Sequence, residues 1–146
     1  MILPDVNVLI YAFYEHADHH QAYASWLNNA RSDGKELLLP DSVLLGFLRI
    51  VTSPRIYQDP APMAAALAFT SALRRGRRAR VVEDLGSVWS AFDRLVVNDR
   101  QIKGNLVLDA YIAAVAISHK ARVATRDRGF SRFPGLSWFD PGAPTN

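Results

Sequence analysis

Leu106–Ile117 reads LVLDAYIAAVAI, and eleven of its twelve residues are apolar or aromatic. A segment apolar on every side belongs inside a protein. Gly104-Asn105 breaks the chain ahead of it, so the spacing predicts a buried helix from Leu106 to about Lys120. The one exception is Asp109. An ionised carboxylate in such surroundings is costly unless it is paired, hydrogen-bonded or bound to a cation.

Working outward, Arg122–Thr125 reads as a strand after that helix, and Leu136–Phe139 as a last strand beyond Gly129, Pro134 and Gly135. Upstream, Leu85–Val97 is a helix with Val88, Trp89, Phe92 and Leu95 on one side. Trp26, Trp89 and Trp138 are assigned to the core. Arg80–Val82 is a strand, preceded by an alanine-rich helix from Met63 to about Arg75 that Pro60 and Pro62 open. Asp41-Ser42 caps a helix to about Val51, which Ser53-Pro54 closes. Glu36–Leu39, the helices His19–Arg31 and Val6–Tyr14, and a strand from Ile2 to Asp5 complete the chain. Short strands alternating with helices predict a parallel sheet covered on both faces. The 146 residues form one domain, with 141–146 as a frayed tail.

Two further lone acids stand out. Asp5 follows Ile2-Leu3, and Asp127 follows Val123-Ala124. Ligands of open parallel sheets bind beyond the carboxyl ends of the strands. Asp5 and Asp127 fall there directly. Asp109 joins them because the first turn of a helix leading into a parallel strand lies at that same rim. Three carboxylates in a small volume resist ionising together, and a hard divalent cation removes the conflict. Oxygen ligands without cysteine or clustered histidine select Mg²⁺ or Mn²⁺, the ions of phosphoryl chemistry. Taken alone, Asp127 in Thr125-Arg-Asp-Arg-Gly also suits a turn. Asn7 suits either a phosphate or water contact or a helix cap. Arg49 suits a phosphate, a site acid or a structural ion pair.

Composition bounds the alternatives. The chain is 49% hydrophobic and 21% charged, so it buries a core and is not a disordered segment. It has no cysteine, which excludes disulfides, thiolate metal sites and cysteine nucleophiles. The N-terminus lacks a basic n-region and no uncharged apolar run reaches the roughly 18 residues of a membrane span, so a cytoplasmic location is expected. Nucleophile-elbow, P-loop and dinucleotide-binding motifs are absent. His16, His19 and His20 fit a loop and helix start better than a zinc site, for want of a third ligand. The net charge of +3 is local: Arg74, Arg75, Arg77, Arg78 and Arg80 fall within seven residues. They suit either an RNA backbone or the solvated end of a helix.

Asp5-Val-Asn-Val-Leu-Ile, Leu108-Asp109-Ala-Tyr-Ile-Ala-Ala-Val-Ala and Val123-Ala-Thr-Arg-Asp127-Arg-Gly-Phe, in this order and spacing, resemble a PIN domain. Gly46–Pro54 and Phe130–Trp138 resemble the VapC ribonuclease toxins within that family. The resemblance implies a three-layer α/β/α sandwich around a mainly parallel sheet of four or five strands. It implies Mg²⁺-dependent endonucleolytic cleavage of RNA by Asp5, Asp109 and Asp127; Asn7, Arg49 and Thr125 are read beside them as candidate substrate contacts. It also implies a VapB-like antitoxin as partner, in a homodimer or a toxin–antitoxin hetero-oligomer. The family's usual glutamate on the helix after the second strand is missing, and Asp41 is the nearby carboxylate offered as the alternative to complete the site. That departure motivates a rival reading, a non-catalytic module that binds RNA or an antitoxin. A third reading makes Asp5 the nucleophile of a phosphotransferase.

Overall fold

The computed structural model describes residues 1–144. Five short strands form one parallel sheet in the order β3-β2-β1-β4-β5: β1 Ile2–Pro4, β2 Leu37–Leu38, β3 Ala79–Arg80, β4 Arg122–Ala124 and β5 Trp138–Phe139. Six helices flank it: α1 Val6–Phe13, α2 His20–Ser32, α3 Asp41–Val51, α4 Met63–Arg74, α5 Leu85–Asn98 and α6 Leu106–Ser118. The expected α/β/α sandwich is the observed architecture. The frayed tail expected over 141–146 lies partly outside the described residues. Within them, Gly142 is held, its N–H donating to Asp140 Oδ1 at 2.9 Å.

The chain leaves β1 toward β2 on one side and pairs β1 with β4 on the other, so the switch in strand order falls between β1 and β4. Crevices at that point are where parallel sheets bind ligands. Pro4 contributes locally. Ile2 N–H donates to Glu36 O on the β2 side and Asp5 N–H to Ala124 O on the β4 side. The N–H that Pro4 lacks would therefore face β2, where pairing has stopped after Ile2↔Leu37. Pairing with β4 continues through Pro4↔Ala124 and carries Asp5 to the rim beside Thr125.

The core runs through Leu3, Val8, Leu9, Phe47, Val115 and Val123, all fully buried. Phe47 meets Phe13 edge-on at 5.3 Å and Phe69 at 5.1 Å, which ties α3 to α1 and α4. Each such aromatic pair contributes about 0.5–1.5 kcal/mol beyond its area burial.

Several expectations need correction. α6 is buried only from Ala110 to Ala116 apart from Tyr111; its first turn protrudes, with Leu108 59% exposed. Trp89 is 53% exposed rather than inward, lying edge-on to Phe92 and tilted toward Tyr111. Trp26 and Trp138, by contrast, are partly buried and pack against the core as expected. β3 begins one residue earlier than expected and ends at Arg80, because Leu37↔Ala79 and Leu38↔Arg80 set its register and β2 offers no further partner. Asp41 caps nothing: the cap position of α3 is Pro40, and Asp41 is the exposed first helical residue.

Candidate active site

Asp5 ends the β1 segment and caps α1. Its extended backbone (φ −74°, ψ 162°) aims the side chain back at the helix start, where Oδ1 accepts from Val6 N–H at 2.7 Å. Oδ2 accepts from the Thr125 hydroxyl at 2.7 Å and from Asn7 Nδ2 at 3.2 Å. Only 6% of Asp5 is exposed. Burial pushes its carboxyl pKa up, the bonds from Thr125 and Val6 pull it back, and nearby Asp127 adds to the rise. Both oxygens are engaged, so Asp5 is a poor candidate for the phosphotransferase nucleophile.

Asp127 lies on the loop after β4. Its N–H donates to Thr125 Oγ1 at 3.0 Å, and its Oδ1 accepts from Gly129 N–H at 2.7 Å, capping the 3-10 turn Arg128–Arg132. It is therefore both a turn acid and a rim acid. A β-carbon on Gly129 would come within 2.9 Å of Asp127 Oδ1, so glycine permits this close turn.

Asp109 is in the first turn of α6. The half-buried carboxyl has no hydrogen-bond partner among the described residues. Its pKa is pushed up to about 6, by burial first and then by Asp5 and Asp127. Arg132 opposes the rise. That guanidinium is held in place by Asp99 Oδ2 at 3.0 Å and Gln101 Oε1 at 2.9 Å. Arg132→Ala is expected to move the Asp109 pKa above about 6 in the metal-free protein, read by carboxyl-carbon NMR titration; an unchanged or lower value contradicts this coupling.

Asp5, Asp109 and Asp127 line one open cleft of about 490 Å³ at the switch point, with Asn7, Ser42 and Arg49. The expectation of a shared rim therefore holds. Among the described residues, no three acidic or histidine side chains close on a common point as they stand. The orientations explain this, since Asp127 Oδ1 is turned back to Gly129 and Asp5 Oδ2 inward to Thr125. The donor set nonetheless fits a hard divalent ion: three carboxylates in mutual repulsion, one without a hydrogen-bond donor, and no sulfur.

The other candidates divide. Asn7 lines the cleft but does not cap α1. Its amide nitrogen also donates to Thr125 Oγ1 at 3.1 Å, and its oxygen accepts from Arg126 N–H at 3.3 Å. Arg49 is on the cleft wall. Thr125 is fully buried behind Asp5, so it positions the carboxylate and does not face a substrate. Asp41 lines different clefts on the other flank of α3, with Leu44 and Arg74, and is not in the acid cleft. His20 Nδ1 lies 2.8 Å from Tyr11 O.

Two residues escaped the sequence reading. Arg132 reaches the site through partners 33 and 31 residues away, for which no local pattern exists. Ser42 sits on the flank of α3 where Asp41 was expected to act. Its hydroxyl oxygen is buried without a hydrogen-bond partner. Such an orphan costs about 1–3 kcal/mol, a deficit that a water or phosphate oxygen in the cleft would relieve.

The PIN domain family matches residues 2–136, and the chain belongs to that family. Within it the chain joins the VapC proteins: it is 37% identical to ribonuclease VapC43 of Mycobacterium tuberculosis, across 97% of this chain and 95% of the relative. Ribonuclease VapC31 of the same species is 29% identical, over 97% of this chain and 99% of the relative. Among solved structures, VapBC2 from Rickettsia felis bound to a promoter DNA fragment superposes with a TM-score of 0.67 at 20% identity, covering 96% and 98% of the two chains. DNA-bound VapBC from Salmonella typhimurium gives 0.68 at 16% identity, covering 96% and 97%. At these identities the likeness is one of fold.

Proposed function

We propose that this chain is a divalent-ion-dependent endoribonuclease and the toxin half of a toxin–antitoxin pair. The observation that carries the proposal is the meeting of Asp5, Asp109 and Asp127 in one cleft at the sheet's switch point, with Asp109 driven toward its neutral form by burial first and then by the other two acids. Relatives named as VapC ribonucleases support the choice of RNA as substrate.

The residues divide the work. Val6 N–H, Thr125 and Asn7 fix the Asp5 carboxylate before any ligand arrives. Asp109 carries oxygens that accept nothing in return, so it gains most from a cation. Asp127, now bonded to Gly129 N–H, would supply the third carboxylate to such an ion. When bound, Mg²⁺ or Mn²⁺ polarises a phosphodiester and lowers the pKa of coordinated water. Arg49, on the exposed wall, pairs with a non-bridging phosphate oxygen. Attack by water in line breaks the P–O3′ bond; the departing oxygen takes up a proton, leaving a 3′-hydroxyl and a 5′-phosphate. Unpaired loops are the preferred targets, because their bases are splayed and accessible.

An antitoxin partner completes the reading. The groove between α3 and α4, lined by Leu44, Leu45, Leu48 and Leu67, offers an apolar seat for an amphipathic segment. No helix among the described residues is long and apolar enough to cross a membrane. The test is incubation of the purified chain with cellular RNA in Mg²⁺, Mn²⁺ or EDTA, followed by sequencing of 5′ ends. The expected result is discrete new 5′-phosphate ends with either ion and none in EDTA. RNA binding with no cleavage under any condition would overturn it in favour of the non-catalytic module, a rival motivated by the lack of an α3 carboxylate in the cleft.

A further inference from the structure

The first turn of α3 divides two clefts. On one side Ser42, Gly46 and Arg49 line the acid cleft. On the other, Asp41 and Leu44 line a cleft of about 390 Å³ whose far wall carries Arg74, Arg75 and Arg80. This second cleft lies at the carboxyl end of β3, as the participation of Val81 and Leu39 shows, so it shares a rim with the acids. β3 is two strands from β1. Two strand spacings amount to about 10 Å.

The charges here are only partly used by the fold. Arg80 pairs with Glu36 at 2.7 Å, and Arg78 reaches the same carboxylate at 3.9 Å. Arg74 and Arg75 are exposed, and among the described residues neither forms an ion pair, not even with Asp41 on the facing wall. Cations do suit a helix end, and Arg74 is in the last turn of α4. Charges also guard edge strands, but the edge here is two residues long and Arg80 already occupies it. Neither role accounts for adjacent unpaired arginines facing a cleft.

We infer that Arg74 and Arg75 form a phosphate-binding track that holds the RNA strand flanking the scissile bond as it leaves the acid cleft across the first turn of α3. This rests on the ribonuclease reading for its substrate. A single strand leaving a cluster of carboxylates is repelled there and attracted in the neighbouring cleft across α3, so the arrangement orients the strand as well as retaining it. The structure supplies its own control. Lys35 and Arg77 line a separate cleft of about 400 Å³ at the amino end of β3, beyond the sheet from the acids. Both are exposed, and neither forms an ion pair among the described residues.

The test compares two double variants with the same loss of charge, Arg74→Ala/Arg75→Ala and Lys35→Ala/Arg77→Ala. Each is titrated against a labelled single-stranded RNA of about 12 nucleotides in EDTA, by fluorescence anisotropy across a salt series. Circular dichroism confirms that each variant is folded. The first pair is expected to weaken binding about tenfold and to flatten the slope of log K against log salt by about 1.4, the value for two lost single-strand phosphate contacts. The second pair is expected to match the wild type. Equal weakening by both pairs would reduce the effect to net charge and overturn the track. No change in the first pair would overturn it too, and would leave these arginines to an acidic protein partner. Cleavage assayed separately in Mg²⁺ keeps the two proposals apart. A wild type that cleaves while the first pair binds normally refutes the track alone. A wild type that never cleaves while the first pair loses binding refutes the nuclease alone.

Discussion

Asp5→Asn is expected to lower RNA cleavage by about 10³-fold, corresponding to about 4 kcal/mol of lost transition-state stabilisation, with folding retained. The activity loss follows from charge. Asp5 is the carboxylate fixed most tightly before ligand arrives, by donors from Val6, Thr125 and Asn7, and an amide brings no negative charge to an ion. Stability moves little because two effects oppose. One amide oxygen cannot serve Val6 N–H on one side and Thr125 and Asn7 on the other, so a hydrogen bond is lost, worth about 1 kcal/mol. In return, a nearly buried ionisable group is removed, together with its repulsion from Asp127. A melting temperature within about 4 °C of the wild type, alongside lost cleavage, is the expected pair of measurements. Cleavage at the wild-type rate by a folded Asp5→Asn protein would remove Asp5 from the chemistry.

Asp109 produces the second large effect, and here stability and activity part. Its folded pKa is raised to about 6 from an ordinary carboxyl value of 3.8. Folding therefore favours the protonated form. The stability associated with that proton is fully present below the unfolded value and is lost as pH rises through about 6. In EDTA, the wild type should lose melting temperature between pH 4 and pH 6 by more than Asp109→Asn does. At neutral pH the variant should be the more stable protein, by about 3 °C once screening of the half-exposed group is allowed for. Cleavage by Asp109→Asn should fall about as far as with Asp5→Asn. Thermal melts at both pH values, with and without metal, check each part. A variant less stable than the wild type at pH 7 in EDTA contradicts the strain assigned to this carboxylate. The gain in stability on losing function is the trade-off of a site that gathers like charges.

Much of the fold was legible because the chain alternates short strands with apolar helices, and period and punctuation survive in the sequence. The acids were legible for a related reason: Asp5, Asp109 and Asp127 each break an apolar run. What was lost is two-dimensional. Asp41 and Ser42 are neighbours in sequence, but successive helical residues turn by about 100°, so the carboxylate faces the arginine cleft and the hydroxyl the acid cleft. Helix propensity does not report which flank is which. LVLDAYIAAVAI implied uniform burial, but a helix that delivers its first turn to a ligand cleft must expose that turn, and Val107 and Leu108 are outside as a result. Trp89 carried the hydrophobic signal of a core residue, whereas α5 presents it at the surface near Tyr111. Arg132 depends on Asp99 and Gln101 across a loop closure that only the folded chain brings about.

The central claim is that carboxylates from β1, α6 and the loop after β4 share one hard divalent ion. Mn²⁺ titrated into ¹⁵N-labelled protein tests it directly, through paramagnetic broadening of backbone amides. The account predicts broadening that is strongest at Val6, Asp109 and Asp127 and weakest at Lys35 and Arg77 at the amino end of β3, and that is abolished by Asp5→Asn. Broadening centred on Asp41, or an even loss of signal over the surface with the acid cleft spared, would contradict it.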